Sequence, residues 1–188
     1  MKILLSIFCL LILISCTEQE PTVYKGPFLI IEEVTYDQES NTPITGIVER
    51  YRETGELLFR GNFIEGKQDG LQEFFYKSGQ LRSRGYLKEG RQEGVEENFS
   101  EQGLLTSREY WKEGKLDGIS EVYVDGLLQE KTKFVNDLKI YTSVYGYSPT
   151  TGKLLDISSF NPKGEQHGPY EMYFENGKLE FKGNHKNG

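Results

Sequence analysis

The sequence predicts an all-β protein, an elongated single-layer antiparallel β-meander of stacked 24-residue β-hairpin repeats. Three observations predict this fold. A glycine returns at a constant interval, turn dipeptides fall at two fixed places in each interval, and the stretches between the turns have strand composition. A fixed period of this length is typical of repeat architectures, in which each unit buries its apolar surface against its neighbours. The recurring glycines are Gly46, Gly70, Gly94 and Gly118.

Each interval carries two turn signals. The first is at the ninth step of the unit, in Thr54-Gly55, Ser78-Gly79, Gln102-Gly103 and Asn176-Gly177. The second is near the twentieth step, in Glu65-Gly66, Glu89-Gly90 and Glu113-Gly114. Glycine in such pairs supplies the positive φ angles that tight hairpin turns require. The segments between the turns mix Tyr, Phe, Val, Ile and Leu with charge, which favours strands. No window has a sustained 3.6-residue apolar period, so the sequence predicts almost no helix.

The register of the hairpins follows from the position of the first turn. If its two residues form a two-residue loop, the third step of each unit faces the fourteenth. This rule places an acid opposite a base in every regular hairpin, as expected for cross-strand pairs. The pairs are Glu49–Arg60, Glu73–Arg84, Glu97–Arg108 and Glu171–Lys182. In the shortened fourth unit, Glu121 faces Glu130 if the turn keeps two residues, and Lys131 only if the turn rearranges.

The fifth step of the unit is aromatic in five copies. We expect these side chains to share one sheet face with the glutamates, because alternate residues of a strand point to the same side. Two interpretations stay open: the aromatic row is an extended contact surface, or it is the core of a thin sheet, which we favour. The residues are Tyr51, Phe75, Phe99, Tyr123 and Tyr173.

The N-terminus predicts export. Residues 1–16 have a basic start at Lys2 and a short apolar run, which is typical of a signal peptide and too short for a membrane-spanning helix. The closing Leu-Ile-Ser-Cys resembles the bacterial lipobox, which implies lipidation at Cys16 and location in the cell envelope as an outer-membrane lipoprotein. The alternative is an ordinary cleaved signal with a chance cysteine. Residues 17–27 are then a linker, and residues 28–188 hold the repeats, beginning with half a unit.

Composition argues against several function classes. The only cysteines are Cys9 and Cys16, so the mature chain has no disulfide framework and no cysteine nucleophile. The only histidines, His167 and His185, both fall at repeat turns, which favours neither a catalytic triad nor a transition-metal cluster. We expect no cofactor and no metal. The formal net charge of −7 argues against a nucleic-acid partner.

The repeat resembles a known family. The pattern G-x-x-E-x-aromatic-x-x-x-G-x-L, followed by aromatic-x-x-G-x-x-x-G, is similar to the bacterial variant of the MORN repeat, in proteins often grouped as YwqK-like antitoxins. The resemblance implies a MORN-like solenoid of hairpins and an interaction or scaffold role. Fold alone does not fix function. The first copy carries the pattern on Gly46, Glu49, Tyr51, Gly55, Leu57, Gly66 and Gly70.

Three functional hypotheses follow. The first is a membrane-anchored, non-enzymatic binding or scaffold module for a protein or glycan in the envelope. Its candidate contact residues lie where the fifth unit breaks the repeat. The second is a toxin-neutralising or immunity protein, since an acidic surface suits a basic effector. The third is a glycan hydrolase that uses two carboxylates. The candidate contact residues are Tyr141, Tyr145, Tyr147 and Phe160.

Overall fold

The computed structural model describes residues 20–186 as strands joined by turns, with no helix in that range. The signal segment predicted for residues 1–16, with Cys16, lies outside the described residues. The strands in chain order are β1 (Val23–Tyr24), β2 (Phe28–Ile31), β3 (Val34–Asp37), β4 (Thr42–Pro43), β5 (Gly46–Tyr51), β6 (Leu57–Ile64), β7 (Lys67–Phe75), β8 (Leu81–Lys88), β9 (Arg91–Gln92), β10 (Gly94–Phe99), β11 (Leu105–Lys112), β12 (Lys115–Leu116), β13 (Gly118–Val124), β14 (Leu127–Val135), β15 (Leu138–Tyr147), β16 (Leu154–Phe160), β17 (Gly168–Tyr173) and β18 (Leu179–His185).

Most strands join one long sheet in the order of the chain. The 15-stranded sheet runs β1-β5-β6-β7-β8-β10-β11-β13-β14-β15-β16-β17-β18, with β9 paired to β8 and β12 paired to β11. Apart from β1, which is parallel to β5, neighbouring strands are antiparallel. The predicted all-β hairpin meander is therefore confirmed. In the part of the chain that the structure describes, no helix is long and apolar enough to cross a membrane.

The predicted pairing of acids with bases is confirmed in each regular hairpin. Directly opposite one another are Glu49 and Arg60, Glu73 and Arg84, Glu97 and Arg108, and Glu171 and Lys182.

The loop that gives this register is longer than the predicted two-residue loop. In the first hairpin the amide of Gly55 donates to the carbonyl of Arg52 at 2.9 Å, so the loop holds one residue more than predicted. The register shifts by one residue between Arg50 and Tyr51, which leaves Leu58 as the extra residue of a β-bulge. The bulge restores the register that a two-residue loop would give.

The fourth hairpin corrects the prediction made for it. Its turn keeps two residues, Asp125 and Gly126, between the paired Val124 and Leu127. A bulge follows, because the register shifts between Val122 and Tyr123. Glu121 therefore faces Lys131 without any rearrangement of the turn.

A small second sheet covers one end of the long one. Residues 28–43, assigned from sequence to half a repeat unit, form a separate three-stranded sheet in the order β2-β3-β4. The amide of Thr35 donates to the carbonyl of Gly66, and the amide of Gly66 donates to the carbonyl of Ile44, both at 2.8 Å. The buried core lies beside this contact and consists of Ile44, Val48, Phe59 and Phe63.

Candidate functional site

One face of the long sheet carries an alternating row of charges, which we call the charged ladder. Its members also face one another between hairpins, since Arg60 is opposite Glu73 and Arg84 is opposite Glu97. Arg108 is likewise opposite Glu121. The row is therefore continuous from β5 to β14. It consists of Glu49, Arg60, Glu73, Arg84, Glu97, Arg108, Glu121 and Lys131.

Ion pairs connect most of the ladder. Arg60 Nη2 lies 2.7 Å from Glu49 Oε1, and Arg84 Nη2 lies 2.7 Å from Glu97 Oε2. Arg108 bridges two carboxylates, at 3.0 Å from Glu97 and 3.4 Å from Glu121. Glu73 and Arg84 are lateral neighbours as predicted, but the ion pair of Arg84 is made with Glu97.

Tyrosines of the aromatic row support the same carboxylates. The hydroxyl of Tyr51 donates to Glu49 at 2.5 Å, and that of Tyr123 donates to Glu121 at 3.0 Å. The hydrogen bonds from Tyr51 and then Arg60 hold the pKa of Glu49 below its usual value. Carboxylates whose ionised form is stabilised in this way are poor general acids.

At the centre of the ladder, burial and hydrogen bonding act on the carboxyl pKa in opposite directions. Burial raises the pKa of Glu97, but the hydrogen bonds from Arg84 and Arg108 outweigh it, and the pKa stays below its usual value. The central carboxylates are therefore ionised at neutral pH, as their partners require.

The structure places three of the four predicted contact residues on the same face of one strand. Tyr141, Tyr145 and Tyr147 alternate along β15, so they lie on the ladder face beyond the last charged pair. Phe160 is opposite Thr142 and lies on the other face. Tyr141 is exposed, whereas Tyr145 and Tyr147 are half-buried. The tyrosines form a group that a partner can contact, and Phe160 is not part of it.

The opposite face holds a groove that the sequence did not indicate. It has a volume of about 790 Å³ and lies between the small sheet and strands β5 to β9. Its floor is apolar, formed mainly by Phe59, Phe63 and Phe74, and its rim is cationic. The cations of the rim are Arg50, Lys67, Arg82 and Arg91.

Two of these cations pack on the aromatic floor. The guanidinium of Arg50 is 5.8 Å from the ring centroids of Phe28 and Phe59. That of Arg82 is 5.3 Å from the ring centroid of Phe74. These are cation–π distances, which hold the arginine heads close to the floor. The sequence carries only a weak trace of this groove, since Arg82 takes a step that is Leu58 in the preceding unit and that varies among the units.

Two carboxylates also meet on the groove face, further along the sheet. Glu96 and Glu109 are directly opposite one another on β10 and β11. Burial and the nearby charge of Glu109 raise the pKa of Glu96, while Gln92 donates a hydrogen bond to it at 2.5 Å. Within residues 20–186 no group of three or more acids, histidines or cysteines has the arrangement of a metal site.

Comparison with known proteins agrees with the hairpin geometry. No curated protein matches the chain. Residues 68–89 and 166–187 match the MORN repeat variant. These segments cover most of the β7–β8 hairpin and the whole of the β17–β18 hairpin, so the hairpins of this sheet include repeats of the MORN type.

Proposed function

We propose that the chain is a non-enzymatic binding or scaffold module, tethered to the bacterial cell envelope by lipid on Cys16. The observation that supports it is the long sheet of consecutive hairpins, two of which match the MORN repeat variant, with a continuous charged ladder on one face. Such a surface suits an extended polypeptide or glycan partner.

The tyrosine group on β15 is the proposed contact point. Tyr141 is 38% exposed at the place where the charged row ends. Exposed tyrosines are typical of interface anchors, because a large ring binds with little loss of conformational freedom.

Capture of partners from envelope extracts tests this proposal. The full chain and a Tyr141→Ser variant are compared with Tyr86→Ser, which removes another exposed tyrosine from the same face. We expect Tyr141→Ser to lose the partner and Tyr86→Ser to keep it. Equal capture by all three proteins contradicts the assignment of the tyrosine group.

The membrane anchor has its own test. Cys16→Ser is expected to move the protein out of the membrane fraction or to block its processing. Cys9→Ser is the matched control, because it makes the same substitution within the predicted signal and leaves the lipobox intact. A Cys16→Ser variant that stays membrane-bound and is processed normally contradicts the anchor.

The acidic composition favours a second candidate, neutralisation of a basic toxin. The net charge of −7 would accelerate encounter with a cationic effector through electrostatic steering. The capture experiment separates the two candidates, since a basic effector among the retained proteins supports the second.

An enzymatic role is tested by incubating the purified chain with cell-wall glycans. We expect no turnover, even though Glu96 and Glu109 face one another.

A further inference from the structure

The groove between the two sheets has the dimensions of a small-molecule site. Its volume of about 790 Å³ falls within the range of about 300–1,000 Å³ that is typical of ligand pockets. It is formed by the small sheet β2-β3-β4, which is separate from the long sheet, and by strands β5 to β9. No other pair of hairpins in the described part of the chain is covered in this way.

The floor of the groove is suited to a flat or apolar group. Phe59 and Phe63 are buried, and the rings of Phe59 and Phe74 lie 5.0 Å apart at an angle of 54°. Above these rings, the apolar surface that stays open to a ligand comes from Ile30, Leu58 and the half-buried Phe74.

The charges of the rim are arranged differently from those of the ladder. Arg60, Arg84 and Arg108 all pair with glutamates at 3.4 Å or less. The four rim cations form no ion pair with any residue in the range 20–186. Two acids, Glu33 and Glu89, also line the groove, both at exposed turns, so positive charge is in excess.

A surplus of unpaired cations over an apolar floor favours one ligand chemistry. Arg50 and Arg82 rest on ring faces, which leaves the N–H groups in the guanidinium plane available for a carboxylate. An anion there would relieve the mutual repulsion of the rim cations, and its apolar part would displace water from the phenylalanines.

We propose that this groove binds a small organic carboxylate with an aromatic or aliphatic body. The site is separate from the proposed tyrosine contact, because it lies on the opposite face of the sheet. The tests of this binding site are therefore independent of the tests of the envelope role.

Calorimetric titration with two probes tests the proposal. 2-Naphthoate and 2-naphthamide share one apolar body and differ in the charge of the polar group. With the purified full chain we expect 2-naphthoate to bind about tenfold more tightly, because a charge-assisted hydrogen bond is about twice as strong as a neutral one. The affinity for 2-naphthoate should also fall as salt is added.

Variants matched in charge identify the binding face. Arg50→Gln/Arg82→Gln is expected to remove the preference for 2-naphthoate while retaining weak binding of 2-naphthamide. Arg60→Gln/Arg84→Gln removes the same charge from the opposite face and should leave both affinities unchanged. Equal affinity of the wild type for the two probes, absence of binding, or equal losses in both double variants would each overturn the proposal.

Discussion

The first and last hairpins of the long sheet have the same design and different surroundings. Phe59 and Phe181 occupy the same step of their units, and each ring lies against a glycine two residues further on, Gly61 or Gly183. Phe59 is 5% exposed, whereas Phe181 is 49% exposed. A single hairpin therefore buries only about half of this ring. At Phe59 the rest comes from Phe74 of the next hairpin and from the core against which Phe28 of the small sheet packs, whereas Phe181 lies on β18, the last strand in the sheet order.

The comparison extends to the neighbours of both rings. Around Phe59 the chain buries Val48 and Phe63, whereas Met172, which is directly opposite Phe181, is exposed. The hydrophobic core thus lies where the small sheet packs on the first hairpins, and the small sheet also forms one wall of the groove. We conclude that the repeats provide an extended surface, and that the irregular segment determines where this surface becomes a closed site.

The largest expected difference between the two ends is in the cost of removing these rings. Phe59→Ala should destabilise the first hairpins by about 3–5 kcal/mol, because it leaves a cavity in a packed core. Phe181→Ala should cost about 1 kcal/mol, since half of the ring is already in water. Amide exchange in β5–β7 and in β17–β18 measures each end separately, as stacked repeats need not unfold as one unit. Similar costs would mean that the packing around Phe59 does not stabilise the first hairpins.

Substitutions at two equivalent turn glycines can measure how much the contact with the small sheet contributes to stability. Gly66 and Gly90 have φ angles of +77° and +80° in equivalent turns. A Cβ on Gly66 would lie 2.4 Å from Val34 Cγ1 and 2.7 Å from the carbonyl oxygen of Thr35, whereas a Cβ on Gly90 would meet nothing within 4 Å. Both substitutions to alanine carry the backbone penalty of about 1–2 kcal/mol.

Gly66→Ala should cost about 1–3 kcal/mol more than Gly90→Ala, because it also forces the small sheet away. Chemical denaturation of the two variants, with amide exchange of Thr35 as a local readout, measures the difference. Equal stabilities would show that the small sheet is free to shift without loss.

The same contrast explains how much the sequence could predict. The pairing of Glu49 with Arg60 follows from periodicity, because every copy repeats the same cross-strand charge rule. The bulge at Leu58 could not be predicted from periodicity, because a longer loop plus a bulge gives the same register as a two-residue loop. The small sheet has a single copy and no periodic signal, so neither its separation from the repeats nor the groove could be derived. Arg82 was the available hint, as a charge at a step that is leucine in the preceding unit.

The ladder pairs should also be stronger at the centre of the sheet than in the last hairpin. Glu97 is bridged by two arginines, whereas Glu171 pairs with one lysine, Lys182, at 2.6 Å. Glu97→Gln should cost about 1 kcal/mol, a modest value because Arg84 and Arg108 are partly exposed and solvent screens the pairs. Glu171→Gln should cost less, since its partner is a flexible, more exposed lysine. Equal effects in thermal denaturation would mean that the continuous row adds nothing to isolated pairs.

Acid should weaken the ladder along the whole sheet, since the pKa of Glu171 in the last hairpin is also lowered. The pKa values of Glu49, Glu97 and Glu121 are all lowered from 4.5 in the folded chain. A lowered pKa stabilises the fold above the unfolded value, and this contribution disappears as the pH falls below about 4.5. The stability gap between the wild type and a Glu49→Gln/Glu97→Gln/Glu121→Gln variant should therefore narrow between about pH 5 and pH 3.

Glu96 provides the internal control, because it is the neighbour of Glu97 on the opposite face and its pKa is raised. A raised carboxyl pKa costs stability while the group is ionised, so Glu96→Gln should stabilise the chain slightly at neutral pH. That gain should vanish as the pH falls and the wild-type carboxyl takes up its proton. Thermal denaturation across this pH range distinguishes the stabilising effect of Glu96→Gln from the destabilising effect of the triple variant. If Glu96→Gln and the triple variant respond to acid in the same direction, the assignment of opposite environments to the two faces is wrong.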